Sequence, residues 1–368
     1  MKIEEFKLER FFAAHEFKVR YQMSASDCES MSVRELCETA GADTMEKLHK
    51  LWLGYTESAG DPSLRNAVSR LYENISPEKV LIAVPEEAIF LTLQGCLEPG
   101  DHVIIMAPAY QSLRAVPEAM GCRVTSWPAE FKEDGWRFDF DFLRDSITPD
   151  TKMLIINIPH NPTGVCFTRE EKCALIDILR PDGITLFADE MYWKLEYTEE
   201  VSSEPFCDLY ENAVSLSGLS KSYGLPGLRI GWLASQNSSF LQSAAVLKDY
   251  TTICSSAPSE LLAAAAVEHG EVLVTRSKNI VQENLEAVRR LCKNHPVIGY
   301  LPGQGGSIIF PRFLDGRSAD VFSKQLLENR SLLMLPGGMF DMPDSFFRVG
   351  LGRKNLPAAL KIFEEEIE

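Results

Sequence analysis

The sequence predicts an α/β fold: a large domain with a mainly parallel sheet covered by helices, plus a smaller α+β domain. Three observations predict it. Short apolar runs bounded by Pro, Gly and Asp recur between residues 80 and 235. Amphipathic stretches separate them. Beyond about residue 285 the pattern changes to three short apolar runs interleaved with two helical ones. The length of 368 residues also exceeds what one hydrophobic core usually fills.

The runs are VLIAV (80–84), HVIIMAP (102–108), MLIINIP (153–159), ITLFADE (184–190), AVSLSG (213–218) and RIGWLAS (229–235). They are continuous rather than alternating, as in strands buried on both faces. PSLRNAVSRLYENI, PEEAIFLTLQGCLE, SLRAVPEAMG and TREEKCALIDILR read as covering helices. A long helical pattern from about Glu260 to Lys293, with a break near Gly270, leads to GGSIIFPRF, SLLMLP and FFRVGLG. The helical stretches SADVFSKQLLENR and NLPAALKIFEEEIE lie among these three runs. The large domain is placed at 46–284 and the small one at 1–45 plus 285–368.

A net charge of −16 argues against nucleic-acid binding and against anionic membranes. Nine cysteines without CxxC spacing read as reduced, mostly buried thiols of a cytoplasmic protein. Six scattered histidines suggest no metal site. No apolar run approaches the roughly 20 residues of a membrane span. MKIEEFKLERFF lacks the apolar core of a signal peptide.

SLSGLSKSYGLPGLRIGW (215–232) sets one lysine, Lys221, among small hydroxyl and glycine residues. A surface lysine needs no such setting. An amine used as a nucleophile at the carboxyl edge of a sheet does. Glycines there let a phosphate approach, Ser220 and Ser217 offer hydroxyls, and Arg229 adds a planar cation for the same phosphate. In IPHNPTG (158–164), Pro162 stiffens a turn and Asn161 presents an amide suited to a phenolate oxygen. In LFADEMYW (186–193), Asp189 ends an apolar strand. A buried carboxylate needs a cation, and a protonated pyridine nitrogen is one. Tyr192 is positioned to reach the hydroxyl of the same ring. Taken singly, each piece has a plainer reading: a structural lysine, a Pro-rich turn, an aspartate capping a turn.

Taken in order, NPTG, ADExY and SKxxGLxGLRxGW resemble the fold-type I, pyridoxal 5′-phosphate (PLP)-dependent aminotransferases of class I and II. The resemblance covers nearly the whole chain and implies roles. Lys221 corresponds to the lysine that forms the internal aldimine and shuttles the proton between Cα and C4′. Asp189 corresponds to the aspartate that keeps the pyridine nitrogen protonated, so that the ring is an electron sink. Asn161 and Tyr192 match the pair bonded to the 3′ oxygen, and Arg229 matches the phosphate arginine. Tyr110, in APAYQSL, falls where an aromatic stacks on the cofactor ring. Tyr55, in GYTESAGDPSLR, resembles the tyrosine that reaches the neighbouring subunit's phosphate, which implies a homodimer with a shared site. Both tyrosines also read as ordinary half-buried aromatics. Arg348, in FFRVGLGR, matches the arginine that grips the substrate α-carboxylate, with Asn161 beside it. A salt-bridged edge residue is its plainer reading, and Arg353 is the next candidate.

Two positions depart from the family pattern. The phosphate loop, usually small and polar, reads AVPEEAIF (83–90). Pro85 suits a first helical turn, and the N–H groups of Glu86 and Glu87 can face a phosphate. Their carboxylates repel it unless they turn away or meet a cation. Gly218 stands three before Lys221, where Ser or Thr is usual, leaving Ser220 and Ser217 to take over.

The implied reaction is ping-pong transamination between an α-amino acid and a 2-keto acid through a Lys221 aldimine. Lyases and cyclases share the scaffold. The sequence is also similar to enzymes that use it on arginine-derived amino acids, such as capreomycidine synthase. YQMSASDCESMS (21–32) replaces the family's usual glycine-bearing segment. If it lines the pocket, Asp27 or Glu29 meets a basic side chain; solvated surface carboxylates are the alternative. A PLP-binding regulator is disfavoured, since the chain shows neither a spare domain nor a basic segment.

Overall fold

The computed structural model describes residues 2–367 except 42, 133, 134 and 301. Its frame is an eight-stranded sheet. In spatial order the strands are Val80–Ala83, Gly231–Ser235, Ala213–Gly218, Thr185–Asp189, Thr151–Asn157, His102–Ala107, Arg123–Lys132 and Gly135–Phe138. The five from Ala213–Gly218 to Arg123–Lys132 run parallel. Gly231–Ser235 is antiparallel to both its neighbours, and Gly135–Phe138 is antiparallel to Arg123–Lys132.

The parallel strands are apolar on both faces because each face feeds a different core. Ile104, Leu154 and Leu186 enter one, with the helix Arg169–Leu179. Val103, Ile155 and Phe187 enter the other, with the helices Pro85–Cys96 and Gln111–Met120. This is the two-residue alternation of a strand between two helical layers. The strands Arg123–Lys132 and Gly135–Phe138 were not among the apolar runs of the sequence. Arg123–Lys132 is mostly half-buried or exposed, so it carries no continuous apolar signal.

Gly218 now has a reason. It pairs with Gly231, and a Cβ added to it would lie 2.9 Å from the Gly231 Cα. Close backbone approach excludes the usual serine or threonine.

A third core gathers the start and the end of the chain. Met23 and Cys28 pack with Val281, Leu285, Ile308, Phe347 and Phe363. Tyr21–Gln22 pairs in parallel with Leu332–Leu333. Ile308–Ile309, Phe347–Gly350 and Leu335–Pro336 form a three-stranded antiparallel sheet. Gly350 is required there: a Cβ on it would sit 1.7 Å from the Ala25 carbonyl oxygen. The helix Gly270–Asn294 joins the regions, with Leu273 and Val274 in one core and Val281 to Leu291 in another.

The helix Lys7–His15 lies across the sheet edge. Lys7 Nζ pairs with Asp341 at 2.9 Å, and Arg114 pairs with Asp341 at 3.2 Å and Glu4 at 3.3 Å. Phe6 packs on Tyr110, with ring centroids 5.0 Å apart. Among the described residues, no helix is long and apolar enough to cross a membrane. The nine cysteines are unpaired.

Candidate active site

The carboxyl ends of the parallel strands converge on a cavity of about 400 Å³. Asn157 and Asp189 are register partners, as are Asp189 and Leu216. Lys221, Asn161 and Tyr110 each follow within four residues of a strand end. Of the fifteen residues the sequence singles out for the site, ten line the cavity; Glu87, Tyr55, Ser217, Glu29 and Arg353 do not.

Lys221 Nζ donates to Ser26 Oγ at 2.8 Å and lies 5.9 Å from the Tyr192 ring centre. Tyr192 is buried. Asp189 is buried too, and its Oδ1 accepts the Met191 N–H at 3.1 Å. No cation pairs with it among the described residues. Burial pushes its carboxyl up to about 6, opposed by the Met191 N–H, Lys221 and Asn157.

Asn157, which the sequence reading passed over, ties the strand ends together. Its Oδ1 accepts the Asn161 N–H at 2.7 Å and its Nδ2 donates to the Asp189 carbonyl at 2.9 Å. Its one sequence signal is its place as the last residue of an apolar strand. His160 was also missed. Its Nε2 lies 2.8 Å from the Pro108 carbonyl and its Nδ1 2.7 Å from Thr163 Oγ1. A carbonyl only accepts, so Nε2 carries the proton and Nδ1 accepts from the threonine. Burial pushes its pKa down to about 4, so the ring stays neutral and joins the loop before Tyr110 to the Asn161 turn.

Arg348 is 1% exposed. Its Nη2 donates to the Ser24 carbonyl at 2.8 Å and its Nη1 to Asn161 Oδ1 at 3.3 Å, while Nε has no partner. Phe12 and Phe340 flank it at 5.9 and 5.4 Å. No carboxylate pairs with it among the described residues. A buried guanidinium without an acid is costly unless an anion arrives.

At the other end, the first turn of Pro85–Cys96 leaves the Glu86 and Glu87 N–H groups outside the helix ladder. Ser220 and Arg229 line the cavity with Glu86. Ser217, the other hydroxyl considered, is buried and does not line it. The Glu87 carboxylate is turned away: Oε1 accepts from the Thr251 hydroxyl and from the Thr252 hydroxyl at 2.8 Å, and Oε2 accepts the Val84 N–H at 3.3 Å. Its side chain therefore lies outside the cavity. Glu86 keeps its carboxyl in the cavity. Solvent reaches it through the opening, yet the surrounding protein raises it to about 7, with Glu9 and Asp189 adding to the shift and Ser112 and Arg229 opposing it.

The 21–32 segment does reach the cavity, through Ala25, Ser26 and Asp27. The Asp27 carboxylate is taken by Arg353 Nη2 at 2.7 Å, so it does not offer the predicted contact to a basic side chain. Glu29 is outside the cavity and accepts the Lys354 N–H at 3.0 Å. Tyr55 is 94% exposed. Leu8, Glu9 and Phe12 of the helix Lys7–His15 and Glu16 just after it also line the cavity, and none had been singled out.

The donor set fits PLP and an amino acid. Among the described residues a buried carboxylate lacks a cation and a buried guanidinium lacks an acid, and an amine shares their cavity with the start of a helix and with aromatic rings.

Comparison with known proteins agrees. The profile of aminotransferase class I and II matches residues 22–361. The chain is 30% identical to capreomycidine synthase of Streptomyces vinaceus, over 99% of this chain and 93% of that one. A PLP-dependent aminotransferase from Streptococcus suis superposes with a TM-score of 0.93 at 30% identity, covering 99% and 98% of the two chains. The PLP-dependent cyclase OrfR superposes with a TM-score of 0.90 at 28% identity, covering 100% and 99%. The chain therefore belongs to the class I and II aminotransferase family, with pyridoxal 5′-phosphate as its cofactor.

Proposed function

We propose that the protein is an aminotransferase that moves an amino group between an α-amino acid and a 2-keto acid. The observation that carries this reading is Arg348, buried without an acid in the same cavity as Lys221 and Asp189. Arg348 and Asn161 bind the α-carboxylate and so orient Cα toward the amine. Asp189 faces the cofactor's pyridine nitrogen, Tyr192 and Asn161 its 3′ oxygen, and Tyr110 its ring. Ser220, Arg229 and the first-turn N–H groups of Glu86 and Glu87 hold its phosphate. Bound there, PLP supplies a sink for the electron pair released at Cα. Lys221 Nζ removes the Cα proton from the donor and returns one to Cα of the amino acid made from the acceptor. Ser26, which accepts from Lys221 Nζ at 2.8 Å, stands beside that amine, and the helix Lys7–His15 keeps water from one side of the cavity.

The test mixes PLP-loaded protein with single amino acids and assays keto acid release. Release that requires a second keto acid for continued turnover supports transamination. A cyclised or eliminated product without amino exchange favours a second reading, a lyase or cyclase. That reading is supported by the full-length likeness to a synthase and to a cyclase. Tyr55 completes a homodimeric site in the proposal, beside exposed Trp52 and Leu53. Sedimentation of a monomer that binds PLP tightly rejects that part.

A further inference from the structure

We infer that Glu9 receives the cationic end of the donor's side chain, so that the substrate is an amino acid with a distal guanidinium or ammonium group. This rests on reading the cavity as an amino-acid site.

The acids of the cavity are accounted for one by one, and Glu9 is left. Asp27 is held by Arg353 at 2.7 Å, and Glu16 accepts the Gln22 side-chain amide at 3.4 Å. Asp189 lies at the deep strand end and Glu86 beside Ser112 and Arg229. Glu9 accepts the Tyr110 hydroxyl at 2.9 Å through Oε1, and no cation pairs with it among the described residues. The tyrosine fixes the carboxylate and leaves Oε2 for a ligand.

An acidic wall alone names no ligand. Arg348 supplies the second observation: a buried guanidinium with an unbonded Nε and no acid among the described residues lines this same cavity. Phe12 stands 5.9 Å from that guanidinium, and Glu9 is one helical turn before Phe12, roughly 4.5 Å along the axis. Both side chains line the cavity. A ligand carboxylate on Arg348 thus has its far end beside Glu9, across a wall formed by Phe12 and Tyr110. The family profile begins at residue 22, so the helix that carries Glu9 lies outside the stretch it matches. That is where a determinant of substrate choice belongs.

Calorimetry on the PLP-loaded protein tests the inference with 5-guanidinopentanoate and its neutral analogue 5-ureidopentanoate. Neither has an α-amine, so neither reacts. The expected result is a preference of about tenfold for the guanidino acid, as for one charge-assisted contact. Glu9→Gln brings the ratio near one and leaves the ureido affinity unchanged. Glu9→Lys shifts preference to hexanedioate, which a mere packing role does not predict. A wild-type ratio near one, or a ratio that survives Glu9→Gln, overturns the assignment. The absorbance band that PLP forms with the protein, and its loss in Lys221→Ala, reports on the site itself. A normal band without cation preference sinks only the Glu9 role. No band, with neither acid bound, sinks the site reading as well.

Discussion

The floor of the cavity and its N-terminal wall are built by different means. The floor is made of strand ends: Asn157, Asp189 and the residues just after them are buried and locked by bonds of 2.7 to 2.9 Å. The wall is one nine-residue helix, fastened by ion pairs whose side chains are roughly a third to a half exposed. Sites on rigid elements hold reacting groups to a fraction of an ångström, and wall elements tolerate change. In the proposal, reaction type rests on the floor and choice of substrate on the wall.

The largest effect that breaks or sharpens this contrast is at Lys221. Lys221→Ala should lower kcat by at least about 10³-fold with an unchanged circular dichroism spectrum, measured by single-turnover kinetics. Arg348→Lys keeps the charge and loses the planar fork. It should cost roughly a hundredfold in kcat/KM, mainly through KM.

Asp189 gives a test of opposite signs. Its carboxyl is raised from 3.8 to about 6 by burial, so the folded chain without cofactor binds that proton more tightly than the unfolded chain. Its contribution favours folding below about pH 4 and is lost as the pH rises through about 6. Asp189→Asn should therefore raise the melting temperature of the cofactor-free protein by a few degrees at about pH 8, from roughly 2 kcal/mol, and change little near pH 4. In the loaded protein the same substitution should weaken PLP binding. Scanning calorimetry with and without PLP reads both signs; one sign in both forms reduces Asp189 to a structural residue.

The smallest effect is on the wall. Asp341→Ala removes the partner of Lys7 and Arg114. Stability should fall by under about 1 kcal/mol, while amide exchange over residues 7–15 quickens and KM rises a few-fold. A large drop in kcat instead places the wall in the chemistry.

Most of the floor, Asn157 and His160 apart, was legible in the sequence because its residues sit in short contiguous motifs at strand ends, where local spacing fixes their place. Strands buried on both faces announce themselves by continuous apolar runs. The wall was illegible for a matching reason. Nothing near Glu9 in sequence says that Tyr110 bonds it, and the Asp27–Arg353 pair spans 326 positions. Glu87 could be read as phosphate-facing from its helix position, but the threonines that turn it are 164 and 165 residues away. The usual hydroxyl at Gly218 was missing for a cause that only strand register reveals.

The Arg348 contact with Ser24 has a consequence for how the molecule is made. Its partners are separated by 324 positions, and Gly350 closes directly over Ala25. A chain made only a little beyond Lys221 therefore still lacks the partner of Ser24 and the strand that closes over Ala25. The amine joins the assembled site only once residues 348 to 350 have been made.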